Sequence, residues 1–183
     1  MAILKRLFFW LVLTLFSVMS IGCGYSRGNL LSSNLKTIYI DNFKNAIDID
    51  KEITESARYT LYRPGLENDI TEAVVERFVF DGNLKIAGEK GADLILRGSL
   101  VDYRQEALRY DINDDVEEYL IKITVDMELG DAANDKLLWK ETGFTGEATY
   151  KTRGRLAASE DTAREEAIED LARRIVERTI EEW

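Results

Sequence analysis

The stretch that most restricts how this chain can fold is a twelve-residue run, Glu118 to Leu129. Tyr119, Ile121, Ile123, Val125, Met127 and Leu129 alternate there with Glu118, Leu120, Lys122, Thr124, Asp126 and Glu128. Successive side chains of a strand point to opposite faces, so the run predicts a strand with one apolar and one mostly polar face. Such a strand needs partners at its edges and a second layer over its apolar face. Turn-forming residues flank it at Ile112 to Asp115 and at Gly130 to Asp135, predicting hairpins to both sides. The expected partners are Ala92 to Leu108, with Leu94, Leu96 and Leu100 on one face, and Leu137 to Tyr150, loosened by Gly143 and Gly146. Leu35 to Ile40 reads as a further strand and Asn83 to Ala87 as a brief one, whereas Asp41 to Thr60 has no clear period and reads as a loop.

Two segments supply the covering layer. After Pro64-Gly65, the residues Leu66, Ile70, Ala73, Val74, Arg77 and Phe78 recur at three- and four-residue steps, with Glu67, Asp69, Glu72 and Glu76 opposite. Asp81-Gly82 ends that helix. The second helix runs from about Ser159 to Trp183, with Ser159 or Asp161 as its cap. Its stripe is Ala163, Ala167, Ile168, Leu171, Ala172, Ile175, Val176 and Ile180, and Glu169–Arg173 and Asp170–Arg174 are its expected i,i+4 pairs. Two one-sided helices and a sheet with one apolar face predict an α+β fold. It is a two-layer sandwich, both helices on one face of a mixed sheet of about four strands joined through a right-handed crossover.

Composition narrows the chemistry. The 183 residues contain no His and a single Cys, which removes Ser-His and Cys-His nucleophile systems, His- or Cys-built metal sites and any intrachain disulfide. No cofactor site is signalled. The net charge of -10 argues against nucleic acid, which is held by Lys and Arg neutralising phosphates.

The lone cysteine lies behind an apparent export signal. Lys5 and Arg6 precede an uncharged fifteen-residue run, Leu7 to Ile21, too short to span a membrane but suited to the apolar part of a secretory signal. The sequence Ser20-Ile21-Gly22-Cys23 resembles a bacterial lipobox, with Ser20 where Leu is usual; the alternative is a conventional signal with an incidental cysteine. By that resemblance, residues 1–22 are a lipoprotein signal peptide and Cys23 carries the acyl chains. Residues 23–34 are then a lipidated tether, and residues 35–183 a single domain. Gly24, in place of an Asp, points to the outer membrane. The mature chain of 161 residues carries 22 Lys plus Arg against 34 Asp plus Glu, a charge of -12.

In this order the pieces resemble the LPS-assembly lipoprotein family, LptE. The matching segments are Cys23-Gly24-Tyr25, Ile38 to Asn45, Gly65 to Ala73, Phe80 to Leu84, Ala92 to Leu100 and the closing helix. The resemblance implies a non-enzymatic protein that plugs and helps assemble the LPS-exporting outer-membrane β-barrel (LptD-type), and that binds LPS on its way to the outer leaflet. A polar outward face of Glu118, Lys122, Thr124, Asp126 and Glu128 suits a polar barrel lumen. The alternative is another outer-membrane lipoprotein of similar fold, acting as a cell-wall synthase activator or a secretion-pore component. A glycosidase built on two carboxylates is a third class, but 34 acids make some usable pair inevitable.

A polyanionic ligand needs local cations on so acidic a chain. Between Ala148 and Ser159 there is no acid, and Lys151, Arg153 and Arg155 recur at two-residue steps. With Arg109, beside the predicted turn at Ile112 to Asp115, these are the candidate LPS-binding residues. Arg58 and Arg63, interleaved with Tyr59 and Tyr62, form a second acid-free window, and Arg173, Arg174 and Arg178 are expected in helix-surface pairs.

Overall fold

The computed structural model describes residues 35–47 and 64–181. Cys23, the tether, the Arg58–Arg63 window and Trp183 lie outside them. The elements run β1 (Thr37–Ile40), β2 (Lys44–Asn45), α1 (Leu66–Asp81), β3 (Lys85–Ile86), a 3-10 turn (Glu89–Gly91), β4 (Leu94–Tyr110), β5 (Val116–Asp131), β6 (Lys136–Lys151) and α2 (Glu160–Glu181). The sheet order is β3-β1-β4-β5-β6, with β2 also on β4. Strands β1 and β2 run parallel to β4, and β3 runs parallel to β1, while β4, β5 and β6 form an antiparallel meander. The sheet is therefore mixed, as expected, but it has six strands rather than four. The two extra are two-residue pairings: β3 falls in the brief strand expected at Asn83 to Ala87, whereas β2 lies in the segment expected as a loop and is too short to leave a period.

Both helices cover one face. From α1 the residues Leu66, Ile70, Val74 and Phe78 are buried, and from α2 the whole expected stripe is. Beneath them lie Ile38, Ile40, Leu94, Leu96, Leu100, Ile121, Ile123, Val125, Met127 and Leu129 in one continuous core. Gly82 ends α1 in a left-handed conformation (φ 74°), its N–H donating to the Phe78 carbonyl at 3.0 Å. Ser159 caps α2, its Oγ accepting the Thr162 N–H at 3.1 Å.

Two glycines set how closely the layers approach. A Cβ on Gly146 would stand 2.4 Å from Leu171 Cβ and 2.5 Å from the Ala167 carbonyl, so α2 rests directly on the β6 backbone. A Cβ on Gly98 would meet the Phe43 ring at 2.1 Å; that ring, entering between β1 and β2, takes the space itself.

Alternation along β4 and β6 breaks where the sequence shows no break. A bulge between Leu100 and Asp102 hands the inward position from Leu94, Leu96 and Leu100 to Tyr103 and Gln105. In β6, the register shift opposite Val125 and Met127 falls at Gly143, whose φ of 67° favours glycine. Its N–H donates to Asp126 at 2.8 Å. Trp139 and Glu141 face α2 before the shift, and Phe144 and Gly146 after it. Side chains of α2 also reach the outer edge of β6. Asp170 accepts the Glu147 N–H at 3.1 Å and Arg174 donates to the Thr145 carbonyl, which covers an edge that would otherwise invite strand pairing.

The expected helix pairs are partly rearranged. Asp170–Arg174 forms at 4.0 Å, but Arg173 binds Asp170 and Glu177 rather than Glu169. Arg178 crosses to Glu141 of β6 at 2.9 Å and lies over the Trp139 ring. An arginine between two layers finds its acid across the gap because burial favours the pair that neutralises both.

Candidate functional site

The face of the sheet away from the helices is open and polar. Registered triplets cross β4, β5 and β6 on it: Arg97–Glu128–Lys140, Arg104–Lys122–Glu147 and Arg109–Glu118–Lys151. In the first and last, an acid on the central strand lies between two cations. Arg109 reaches Glu118 at 3.1 Å, Lys122 reaches Glu147 at 3.2 Å, and Arg97 stands 4.0 Å from Glu128. The expected outward residues Glu118, Lys122, Thr124, Asp126 and Glu128 all lie on this face. A shallow cleft among Asp41, Lys44, Arg97, Ser99 and Lys140 is equally mixed in sign. Asp102, bulged onto the same face, has its carboxyl pushed up by burial, although Arg104 stands 2.6 Å away.

At the far end of β4, β5 and β6 the structure places Arg109, Lys151 and Arg153, with Arg155 in the loop that follows β6. Arg109 and Lys151 flank Glu118 in one row. Arg153 reaches back to the β4–β5 turn, holding Asp111 at 3.2 Å and Asp115 at 2.9 Å. The same turn is tightened from within, as Asp111 accepts the N–H groups of Asn113 (2.8 Å) and Asp115 (3.0 Å). Those donors hold the Asp111 carboxyl below its usual range, and the bond to Asp115 raises the Arg153 guanidinium. The loop after β6 folds onto it, the Ala158 N–H donating to the Lys151 carbonyl at 3.0 Å.

Two of the four cations are thus engaged, Arg109 by Glu118 and Arg153 by the turn. Among the described residues, Lys151 and Arg155 have no acid in ion-pair range. Sequence reasoning missed the apolar residues beside them. Ile112 is fully exposed at the turn, and Leu108, Tyr110 and Leu156 are more than half exposed. An isoleucine inside an Asn/Asp turn was the available signal. On the helix side of the same end, Tyr119 and Tyr150 stack at 5.5 Å, Gln105 donates to Tyr150, and the Tyr103 hydroxyl lies 3.4 Å from Glu160.

The described residues hold no group of three or more acids arranged to bind a metal, and no helix among them is long and apolar enough to cross a membrane. The family model for lipopolysaccharide assembly, LptE, matches residues 35–179. The chain belongs to the LptE family. Its match runs from the residues before β1 almost to the end of α2, so the family's unit is the whole two-layer domain. Protein XCC0632 from Xanthomonas campestris shares the LptE-family chain's fold at a TM-score of 0.52 and 14% identity, covering 83% of this chain and 88% of that one. For protein CT253 from Chlamydia trachomatis the TM-score is 0.50 at 11% identity, with 79% and 95% covered. Likenesses this distant speak to the fold alone. No curated protein matches the chain.

Proposed function

We propose that this LptE-family chain is an outer-membrane lipoprotein with residues 1–22 as signal peptide, Cys23 as acyl attachment point and residues 23–34 as tether. The domain from residue 35 seats in the lumen of the LPS-exporting barrel, supports its assembly, and meets LPS at the far end of β4, β5 and β6. It acts by binding and not by catalysis. The observation that carries the reading is the family match over residues 35–179. The open sheet face supports it: its charges are interleaved in sign and several are paired within the face, so it can hydrogen-bond to a polar wall without a large desolvation cost.

Lys151 and Arg155 are the cations placed for phosphate, having no acid in ion-pair range among the described residues. Arg109 contributes where Glu118 releases it, and Arg153 builds the turn that positions the others. Leu108, Tyr110, Ile112 and Leu156 offer apolar contact beside that charge, a combination suited to an amphiphile with an anionic head. Replacing both Lys151 and Arg155 by Glu is expected to weaken LPS binding about tenfold or more, the worth of one charge-assisted hydrogen bond. Circular dichroism and melting temperature are expected to stay unchanged. Equal affinity of the folded variant for LPS would remove this end as the contact. Isolation of the acylated protein from its own membrane is expected to bring an LPS-exporting barrel with it; a cell-wall synthase or a secretion pore in its place would replace the reading.

A further inference from the structure

The opposite end of the molecule carries apolar exposure that neither the fold nor the proposed LPS contact uses. Phe80, in the last turn of α1, is 81% exposed and Val79 is 65% exposed. Phe80 stands two residues past the buried Phe78, about 200° around the helix, so it points away from the core. The rest of that outer surface is acidic, with Glu72 and Glu76 exposed. The only contact described for the Phe80 ring is the Arg77 guanidinium, 5.3 Å from its centre. Ile86 of β3, 38% exposed, pairs in register with the inward Ile38 and so lies on the helix side of the sheet edge, near the end of α1.

The chain leading back to Cys23 departs from this same place. The Lys85 N–H donates to the Lys36 carbonyl at 2.9 Å, so Leu35, where the described chain begins, adjoins β3. Twelve residue steps separate Cys23 from Leu35, a reach of at most about 40 Å. The turn at Ile112 lies farther off, since β4 alone, from its start beside Ile38 to Tyr110, spans about 50 Å. Charge does not oppose approach to lipid at the near end. Lys36, Lys85, Lys90 and Lys136 stand among Asp81, Glu89, Asp93, Asp131 and Asp135, four cations against five acids and so close to neutral on a mature chain of net charge -12.

We infer that, in the acylated protein before it seats in a barrel, this end of the domain, with Val79, Phe80 and Ile86 foremost, rests on the phospholipid leaflet that holds the Cys23 acyl chains. The inference rests on the acylation of Cys23 proposed above. Side chains of this size settle in the headgroup region, about 5–10 Å deep, where partial burial adds to the anchor without needing a transmembrane element. The domain then stands on its near end, with the far turn held away from the leaflet.

Acylation occupies the only native thiol, so an introduced cysteine can be labelled alone. The full acylated chain carrying Phe80→Cys or Ile112→Cys is labelled with a polarity-sensitive dye. It is then reconstituted into vesicles of phosphatidylethanolamine and phosphatidylglycerol containing spin-labelled lipid. Mass spectrometry and flotation establish the acyl anchor in the same samples. The expected result is a blue-shifted dye at position 80 that loses most of its emission to the quencher, and an unshifted, unquenched dye at position 112. An acylated, floating protein whose dye at 80 stays unquenched overturns the inference while the anchor stands. Equal quenching at both positions also overturns it, because the domain would lie flat. A bare Cys23 and failed flotation remove the anchor and the inference together.

Discussion

Strands β4 and β5 are continuous from one end of the domain to the other, yet their two halves follow different rules. Near the start of β4, Leu94, Leu96 and Leu100, with Val125, Met127 and Leu129 opposite, are sealed beneath the helices. Beyond Tyr103 the same ladder continues, but past the start of α2 neither described helix covers it, and Leu108, Tyr110 and Ile112 face solvent. The pairing continues through both halves, with register shifts at Ala107/Arg109 and Arg109/Tyr110 in the second; the larger difference is the second layer. A backbone ladder with internal ion pairs therefore suffices to extend a ribbon, while apolar burial holds the fold together. The covered half carries stability, and the uncovered half is free to carry recognition.

The carboxylates repeat the contrast. Asp93, in the covered half, accepts the N–H groups of Lys36 (2.8 Å) and Thr37 (2.9 Å) and the Thr37 hydroxyl (2.8 Å), tying the entry of β4 to β1 across 56 residues. Asp111 binds donors of its own turn, apart from Arg153. Both carboxyls are held below the usual range, chiefly by backbone N–H donors. The first joins distant parts of the chain through backbone donors, whereas the second reaches a distant residue only through the Arg153 side chain.

The sharpest way to break this division is a charge in the covered half. Ile121→Asp places a carboxylate on the apolar face of the central strand, where the side chain is fully buried. A loss of about 4 kcal/mol or more is expected, enough to unfold the domain. A cooperative urea transition at the original midpoint would show that this strand faces otherwise. Gly146→Ala is expected to cost about 1–3 kcal/mol, since the added methyl meets the Ala167 carbonyl and the Leu171 backbone as well as its side chain. The same change at Gly143, where a Cβ finds open space, would cost only the strain of its positive φ. Chemical denaturation of the two variants compares them directly.

Asp93→Asn is expected to lose about 1 kcal/mol near neutral pH, a modest figure because the carboxylate is solvated. Its depressed pKa adds stability that is fully present above the ordinary value of 3.8 and lost as pH falls below it. The variant should therefore lose less stability than the parent when denaturation is repeated at pH 3. An unchanged acid response would leave Asp93 without that role. The smallest effect is expected at the turn: Ile112→Ser should shift the urea midpoint by less than about 0.5 kcal/mol equivalent, because nothing covers the side chain. A larger loss there would show that the uncovered half also holds the fold.

Of the candidate site, the sequence could announce the cations but not their partners. Lys151, Arg153 and Arg155 were visible as an acid-free window. That Arg153 belongs to the Asp111–Asp115 turn required knowing that the loop after β6 folds back there. Arg109 and Glu118 are nine residues apart, and only the hairpin register makes them neighbours. The outward Phe80 was equally hidden, since a single exposed hydrophobe leaves no periodic trace.

The sequence by itself determined the facing of β5, the stripes of both helices and the positions of the two long hairpins. Periods of 2 and 3.6 arise from local backbone geometry, and every residue of an element reports them. Tertiary structure alone decided the bulges at Leu100–Asp102 and Gly143, the short pairing β2, and which acid each arginine meets. Those depend on what lies opposite in space, and a strand carries no local record of its neighbour.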